Sequence, residues 1–185
     1  MSAATAVLAA RRLLLAGGAA ALALAWLPAH ALGLPSAYGA MIIEPTGLPQ
    51  RAEFDLSAAV QRAKRDNKRL YLYLGANDCR YCRNYEAFLA ENAKELTPYF
   101  ARDYLLVDLR SSLTVLATAL VIKVGERSWS YTEFQRAIGD ERARMLVYPT
   151  VWLLNADLKP LLQMPSGAGT FQTVAEQLEI LRLEQ

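Results

Sequence analysis

Histidine and cysteine are scarce in this chain, and the scarcity narrows its chemistry. Of 185 residues one is histidine and two are cysteine. The histidine, His30, lies in an N-terminal stretch with the marks of an export signal. Met1 to Arg12 carries no acid and ends in Arg11-Arg12, an apolar run follows from Leu13 to Leu27, and Pro28 leads into Ala29-His30-Ala31. A basic start, an apolar centre and an Ala-x-Ala site predict a secretory signal peptide over residues 1–31, cleaved after Ala31. Retention as an uncleaved inner-membrane anchor is the alternative, although the run is short of the roughly 20 apolar residues a span needs. Arg11-Arg12 invites a twin-arginine route, but a small domain with no obvious cofactor has little need of folded export, so the general route is expected. Once the signal is removed no imidazole remains, which excludes histidine ligands and histidine-based acid–base catalysis. The absence of a cysteine after the apolar run argues against a lipid anchor.

Net charge is also lacking. Residues 1–31 hold two of the 20 Lys and Arg and none of the 18 Asp and Glu, so the remainder carries 18 of each. No basic field is left for nucleic acid or an acidic membrane surface. Beyond the N-terminus no apolar run is long enough to cross a bilayer, and there are no internal repeats or low-complexity tracts. The expected location is the periplasm or an equivalent oxidising space, with no stable membrane insertion after cleavage.

What is present reads as one α/β domain. Residues 32–52 are rich in Gly and Pro and form an extended lead-in; residues 53–185 form the domain. Leu56, Ala59, Val60 and Ala63 recur at helical spacing, predicting a helix over Asp55–Lys68 with Asp55 as N-cap. Leu70 to Leu74 is uniformly apolar or aromatic, as in a strand covered on both faces. An amphipathic helix is expected from Tyr81 to Leu96, with Tyr85, Phe88, Leu89, Ala93 and Leu96 on one face. Thr97-Pro98 then reads as a cap and first turn of a short helix to about Arg102. Tyr104–Leu109 is a second buried strand. Leu113–Val124 suits helix or strand, and Ser130–Glu133 is a capping box opening a helix with Tyr131, Phe134 and Ile138 inward. Val151–Leu154 and Leu161–Met164 predict a hairpin around Asn155–Asp157. Gly167 and Gly169 precede a last helix from Thr170 with Val174, Leu178 and Leu181 facing in. Strand–helix alternation implies a layer with a parallel part, edged by the antiparallel hairpin. Trp129 and Trp152 read as packing residues, and Met41, Met145 and Met164 show no ligand spacing.

The cysteines, Cys79 and Cys82, sit three positions apart at the predicted strand-to-helix turn. A zinc site wants four ligands, usually Cys and His, which this chain cannot supply without carboxylates such as Asp78. A lone Cu(I) on two thiolates suits the softness of sulfur. A structural disulfide would close so short a loop that it contributes only roughly 2 kcal/mol. A dithiol–disulfide couple uses the placement best. Cys79 at a helix N-terminus meets unpaired N–H groups and the positive end of the dipole, which favour thiolate. Arg80 adds charge, and Asp78 opposes it. Cys79 would attack a substrate disulfide and Cys82 would resolve the mixed disulfide.

From Glu53 to Glu184 the chain resembles the thioredoxin-like family. Leu70-Tyr71-Leu72-Tyr73-Leu74-Gly75-Ala76-Asn77-Asp78-Cys79-Arg80-Tyr81-Cys82 is similar to its strand, active-site turn and helix, and Val107-Asp108 to its next strand. Val147-Tyr148-Pro149-Thr150-Val151-Trp152 looks like its cis-proline loop, followed by the Gly167/Gly169 stretch. The resemblance implies a thioredoxin fold with a central mixed sheet flanked by helices, an insertion around 111–146 read as scaffold, and a thiol–disulfide oxidoreductase. It implies that Cys79 is the nucleophile, Cys82 resolves, and Pro149 is cis and packs on the pair. It also implies that the Tyr148 backbone meets substrate, while Asp78, Arg80 and Tyr81 modulate the site. Protein dithiols or disulfides are the implied partners, with a membrane electron donor for a reductase and no cofactor beyond the Cys79–Cys82 couple. The chain departs from the family at Asp78, where many thioredoxins have Trp, at Arg80-Tyr81 in place of Gly-Pro, and at Tyr73, where thioredoxins keep a buried acid. A non-catalytic binding module or Cu(I) carrier is the rival expectation.

Overall fold

A computed structural model describes residues 33–47, 50–139, 145–162 and 172–182. The predicted export signal, Met164, Gly167, Gly169 and Thr170 lie outside the described residues.

The chain is organised around a strand with two different faces. In β3 (Arg69–Ala76) every residue from Leu70 onward is buried. Alternation sends Leu70, Leu72 and Leu74 to one side of the sheet and Tyr71 and Tyr73 to the other. The leucine face packs with Phe54, Leu56, Ala59 and Trp152. The tyrosine face packs with Tyr85, Leu89, Phe100 and Leu181.

β3 pairs in parallel with β4 (Tyr104–Ser111) and antiparallel with β7 (Thr150–Leu154). Outside them lie β1 (Met41–Ile43), parallel to β4, and β8 (Pro160–Leu162), antiparallel to β7. The five-stranded order is β1-β4-β3-β7-β8. A second mixed sheet joins β2 (Ala52–Asp55), β5 (Leu120–Val124) and β6 (Arg127–Ser130) in the order β2-β5-β6. Helices flank these sheets: α1 (Ser57–Arg65), α2 (Arg80–Glu91), α3 (Ala93–Asp103), α4 (Tyr131–Ala137) and α5 (Val174–Arg182). No described helix is long and apolar enough to cross a membrane.

The Gly- and Pro-rich lead-in contributes β1 to the main sheet. Segment 111–146 supplies β5, β6 and α4, whose Leu120, Ile122, Tyr131 and Phe134 are buried in the leucine-face core. The capping box forms, with Ser130 accepting from the Glu133 N–H and Glu133 accepting from the Ser130 N–H.

Three local expectations are corrected. The helix expected over Asp55–Lys68 is shorter. Asp55 ends β2 and its carboxylate accepts from the Ser57 N–H at 2.9 Å, while Asn67 at φ 50° and a Lys68 N–H to Ala63 carbonyl bond of 2.8 Å close the far end. The helix expected through Leu96 breaks at Asn92, whose amide and backbone N–H both donate to the Phe88 carbonyl. Pro98, expected in a first turn, lies inside α3. It and Lys94, the residue whose carbonyl its missing N–H would have met, are exposed, so water can satisfy that carbonyl.

Candidate active site

The parallel strands β3 and β4 end together, with Ala76 opposite Ser111. Two residues beyond β3 the chain turns into α2, and Cys79 caps that helix in an extended conformation, φ −96° and ψ 117°. Its sulfur accepts the Cys82 backbone N–H at 3.1 Å, so the cysteine itself satisfies one of the donors left over at a helix start. Both cysteines are free thiols; Cys79 is 4% exposed and Cys82 fully buried. Cys82 Sγ accepts the Ala76 N–H at 3.4 Å. Burial, and then contact with Cys79, push the Cys82 thiol up to about 12, with the Ala76 N–H and Tyr73 acting in the opposite direction.

The Tyr148–Pro149 peptide bond is cis. Thr150 pairs with Leu74, so Pro149 enters the sheet at the end where the cysteine turn begins. Tyr148 is buried in the same core cluster as Cys79 and Cys82. Its hydroxyl donates to Ser111 Oγ at 2.8 Å, and burial raises its ionisation to about 12. Thr150 Oγ1 donates to the Val147 carbonyl at 2.6 Å, closing the turn that carries the proline.

Asp78 is exposed and accepts the Leu113 N–H at 2.8 Å, tying the loop after β4 to the cysteine turn. Arg80 is exposed, and Tyr81 is 51% exposed beside the pair. A hollow of about 270 Å³ lies beside the turn, lined in part by Thr46, Arg51, Ala52, Asn77, Arg110 and Val115.

Behind the cysteines is a group that the motif alone does not announce. Glu86 is 7% exposed. One of its oxygens accepts the Tyr73 hydroxyl at 2.7 Å and the Arg83 guanidinium at 2.7 Å, and the Gly33 N–H bonds the same carboxylate. Burial nevertheless wins, holding this carboxyl above the usual glutamate range. Next to it Asp108 is fully buried, accepting Leu34 N–H at 2.9 Å and Arg110 Nε at 3.1 Å. The signal for Glu86 was available: Cys82, Tyr85, Glu86 and Leu89 fall at helical spacing, and all four are buried.

Among the described residues no three His, Cys, Asp or Glu side chains converge as a metal-binding group. The arrangement holds two thiols one helical turn apart, a backbone donor on the outer sulfur, and a buried carboxylate linked through a tyrosine toward the inner one. Comparison with protein-family models, with curated proteins and with solved structures finds no match.

Proposed function

We propose that this chain is an exported thiol–disulfide oxidoreductase of the thioredoxin type, acting as a reductase on protein disulfides. The observation that carries the reading is Cys79 as the N-cap of α2, its sulfur hydrogen-bonded by the Cys82 N–H. A structural cysteine pair has no need of that placement; a nucleophile does. The cis Tyr148–Pro149 bond at the same end of the sheet supports the reading, as does a central mixed sheet flanked by helices with an antiparallel terminal hairpin.

In this reaction Cys79 thiolate attacks one sulfur of a substrate disulfide. A Cys79–substrate bond forms and the first substrate thiolate leaves. Cys82 then attacks Cys79 Sγ, forming the Cys79–Cys82 disulfide and expelling the second substrate thiolate. The substrate gains two electrons and the cysteine pair loses two. Repeated turnover in an oxidising compartment requires a dithiol donor at the membrane to reduce the pair again.

Replacing Cys82 by Ser interrupts the cycle after the first bond. The variant is expected to hold protein partners from a periplasmic extract as adducts released by dithiothreitol, and Cys79→Ser is expected to hold none. If Cys82→Ser captures nothing while the wild-type chain binds one Cu(I) tightly, the carrier reading replaces this one.

A further inference from the structure

Resting on that reading, the resolving step needs a base, because Cys82 is a fully buried thiol and only its thiolate attacks. The chain beyond residue 31 offers no histidine, and β3 carries Tyr73 on the face that packs against α2, the helix that holds Cys82. The Tyr73 hydroxyl donates to Glu86 at 2.7 Å; Glu86 and Cys82 stand one turn apart on the same side of α2, which sets the hydroxyl beside the Cys82 side chain, where it favours the thiolate. What lets the ring lie this way is Gly75, two residues on along the same face. A Cβ at position 75 would stand 2.7 Å from the Tyr73 ring and 3.0 Å from its hydroxyl. The bare glycine therefore leaves the corridor along which Tyr73 extends toward the cysteine turn.

We propose that Tyr73 and Glu86 form a proton relay for Cys82, with Glu86 accepting the proton through the Tyr73 hydroxyl. The Cys82 proton passes to the Tyr73 oxygen as the Tyr73 proton passes to the Glu86 carboxylate. Tyrosine stays neutral throughout, and its new O–H points at the thiolate just formed. That thiolate attacks Cys79 Sγ, the mixed disulfide breaks, and the substrate thiolate leaves and takes a proton from solvent. Glu86 returns its proton to water after the step.

Two features make Glu86 suited to this work. Burial raises it above an ordinary carboxylate, which strengthens it as a base. Arg83 and the Gly33 N–H hold it in place and favour its ionised form, but burial outweighs them. The groups facing it are Arg83 from α2, Tyr73 from β3, Asp108 from β4 and the Gly33 backbone; those facing Cys82 are Cys79, Tyr73, Tyr148 and the Ala76 N–H. Glu86 is a positioning residue in this scheme, since it acts only through Tyr73.

The test separates the two chemical steps. Pre-reduced protein is mixed in stopped flow with one equivalent of 5,5′-dithiobis(2-nitrobenzoate), which liberates one coloured thiolate when Cys79 attacks and a second when Cys82 resolves. Near neutral pH, Tyr73→Phe and Glu86→Gln are expected to slow the second release roughly a hundredfold, the size of a lost general base, while the first changes by less than about twofold. Raising the pH is expected to bring the variants back toward wild type, as hydroxide removes the Cys82 proton directly. Tyr73→Phe keeps the ring, so it carries the test if Glu86→Gln fails to fold. An unchanged second release in the folded variants, or equal slowing of both releases at every pH, overturns the relay alone. A wild-type protein that releases no second thiolate overturns the exchange reading and the relay with it.

Discussion

The hydroxyl of Tyr148 donates to Ser111 Oγ at 2.8 Å. This one bond ties the residue before the cis proline to the last residue of β4, and so links the proline turn to the strand beside the cysteine turn. Both partners are buried, Tyr148 at 7% and Ser111 at 3% exposure. Removing either leaves the other's polar atom enclosed, at a cost of about 1–3 kcal/mol. Ser111→Ala and Tyr148→Phe are each expected to lower the urea midpoint accordingly. The double variant is expected to lose less than the sum, because the two residues share one interaction.

Gly75→Ala is expected to damage the site through packing. The added methyl lies against the outer edge and hydroxyl of the Tyr73 ring, which has little room to yield because it is buried and bonded to Glu86. Overpacking of this kind costs about 1–3 kcal/mol. Thermal unfolding would register the loss, and the fluorescence or near-ultraviolet dichroism of the tyrosines would register the displaced Tyr73 ring.

Asp108 sets a pH dependence whose sign follows from its burial. Burial raises its carboxyl above the ordinary 3.8, against the Leu34 N–H and Arg110, which pull it down. A group with a raised folded-state value binds its proton more tightly when folded. Its stabilising contribution is complete below the unfolded-state value and is lost as pH rises through the folded-state one. Asp108→Asn cannot ionise. Its stability relative to wild type is therefore expected to increase as pH is raised from below 3.8 through the weakly acidic range, in urea titrations at each pH.

Ser130→Ala removes the cap of α4, where Ser130 accepts the Glu133 N–H and Glu133 accepts the Ser130 N–H. The expected loss is about 1 kcal/mol. Because Tyr131 and Phe134 of that helix belong to the leucine-face core, the loss should appear as a lower midpoint for the whole domain and not as local fraying. Circular dichroism during urea unfolding distinguishes the two.

Local chemistry was the most legible part of the chain. The uniform burial of β3, the capping box at Ser130 and the cysteine turn were visible because neighbouring residues along the sequence decide each of them. The Asn92 break was not. Thr97-Pro98 carries the stronger punctuation, yet Asn92 ends the helix with a side-chain bond to Phe88, and solvent tolerates the proline inside α3. β1 was hidden because Met41–Ile43 has too few residues to show a period, and its partner, Val107–Leu109, lies far along the chain. The Tyr73–Glu86 bond escaped for a related reason. Each residue is ordinary in its own element, and only the packing of α2 on β3 brings them together.

The Gly33 and Leu34 N–H groups each hold one of the two buried carboxylates, Glu86 and Asp108. The folded core thus grips the chain immediately beyond the expected cleavage point after Ala31. A leader peptidase cutting there leaves a single residue ahead of the clamp, and an exopeptidase trimming past Leu34 would strip both donors from the acids. Proteins begun at Leu32 and at Pro35 are therefore expected to differ in melting temperature far more than three residues of surface chain would explain. The backbone at Gly33 thus bears directly on Glu86, the carboxylate proposed to serve Cys82.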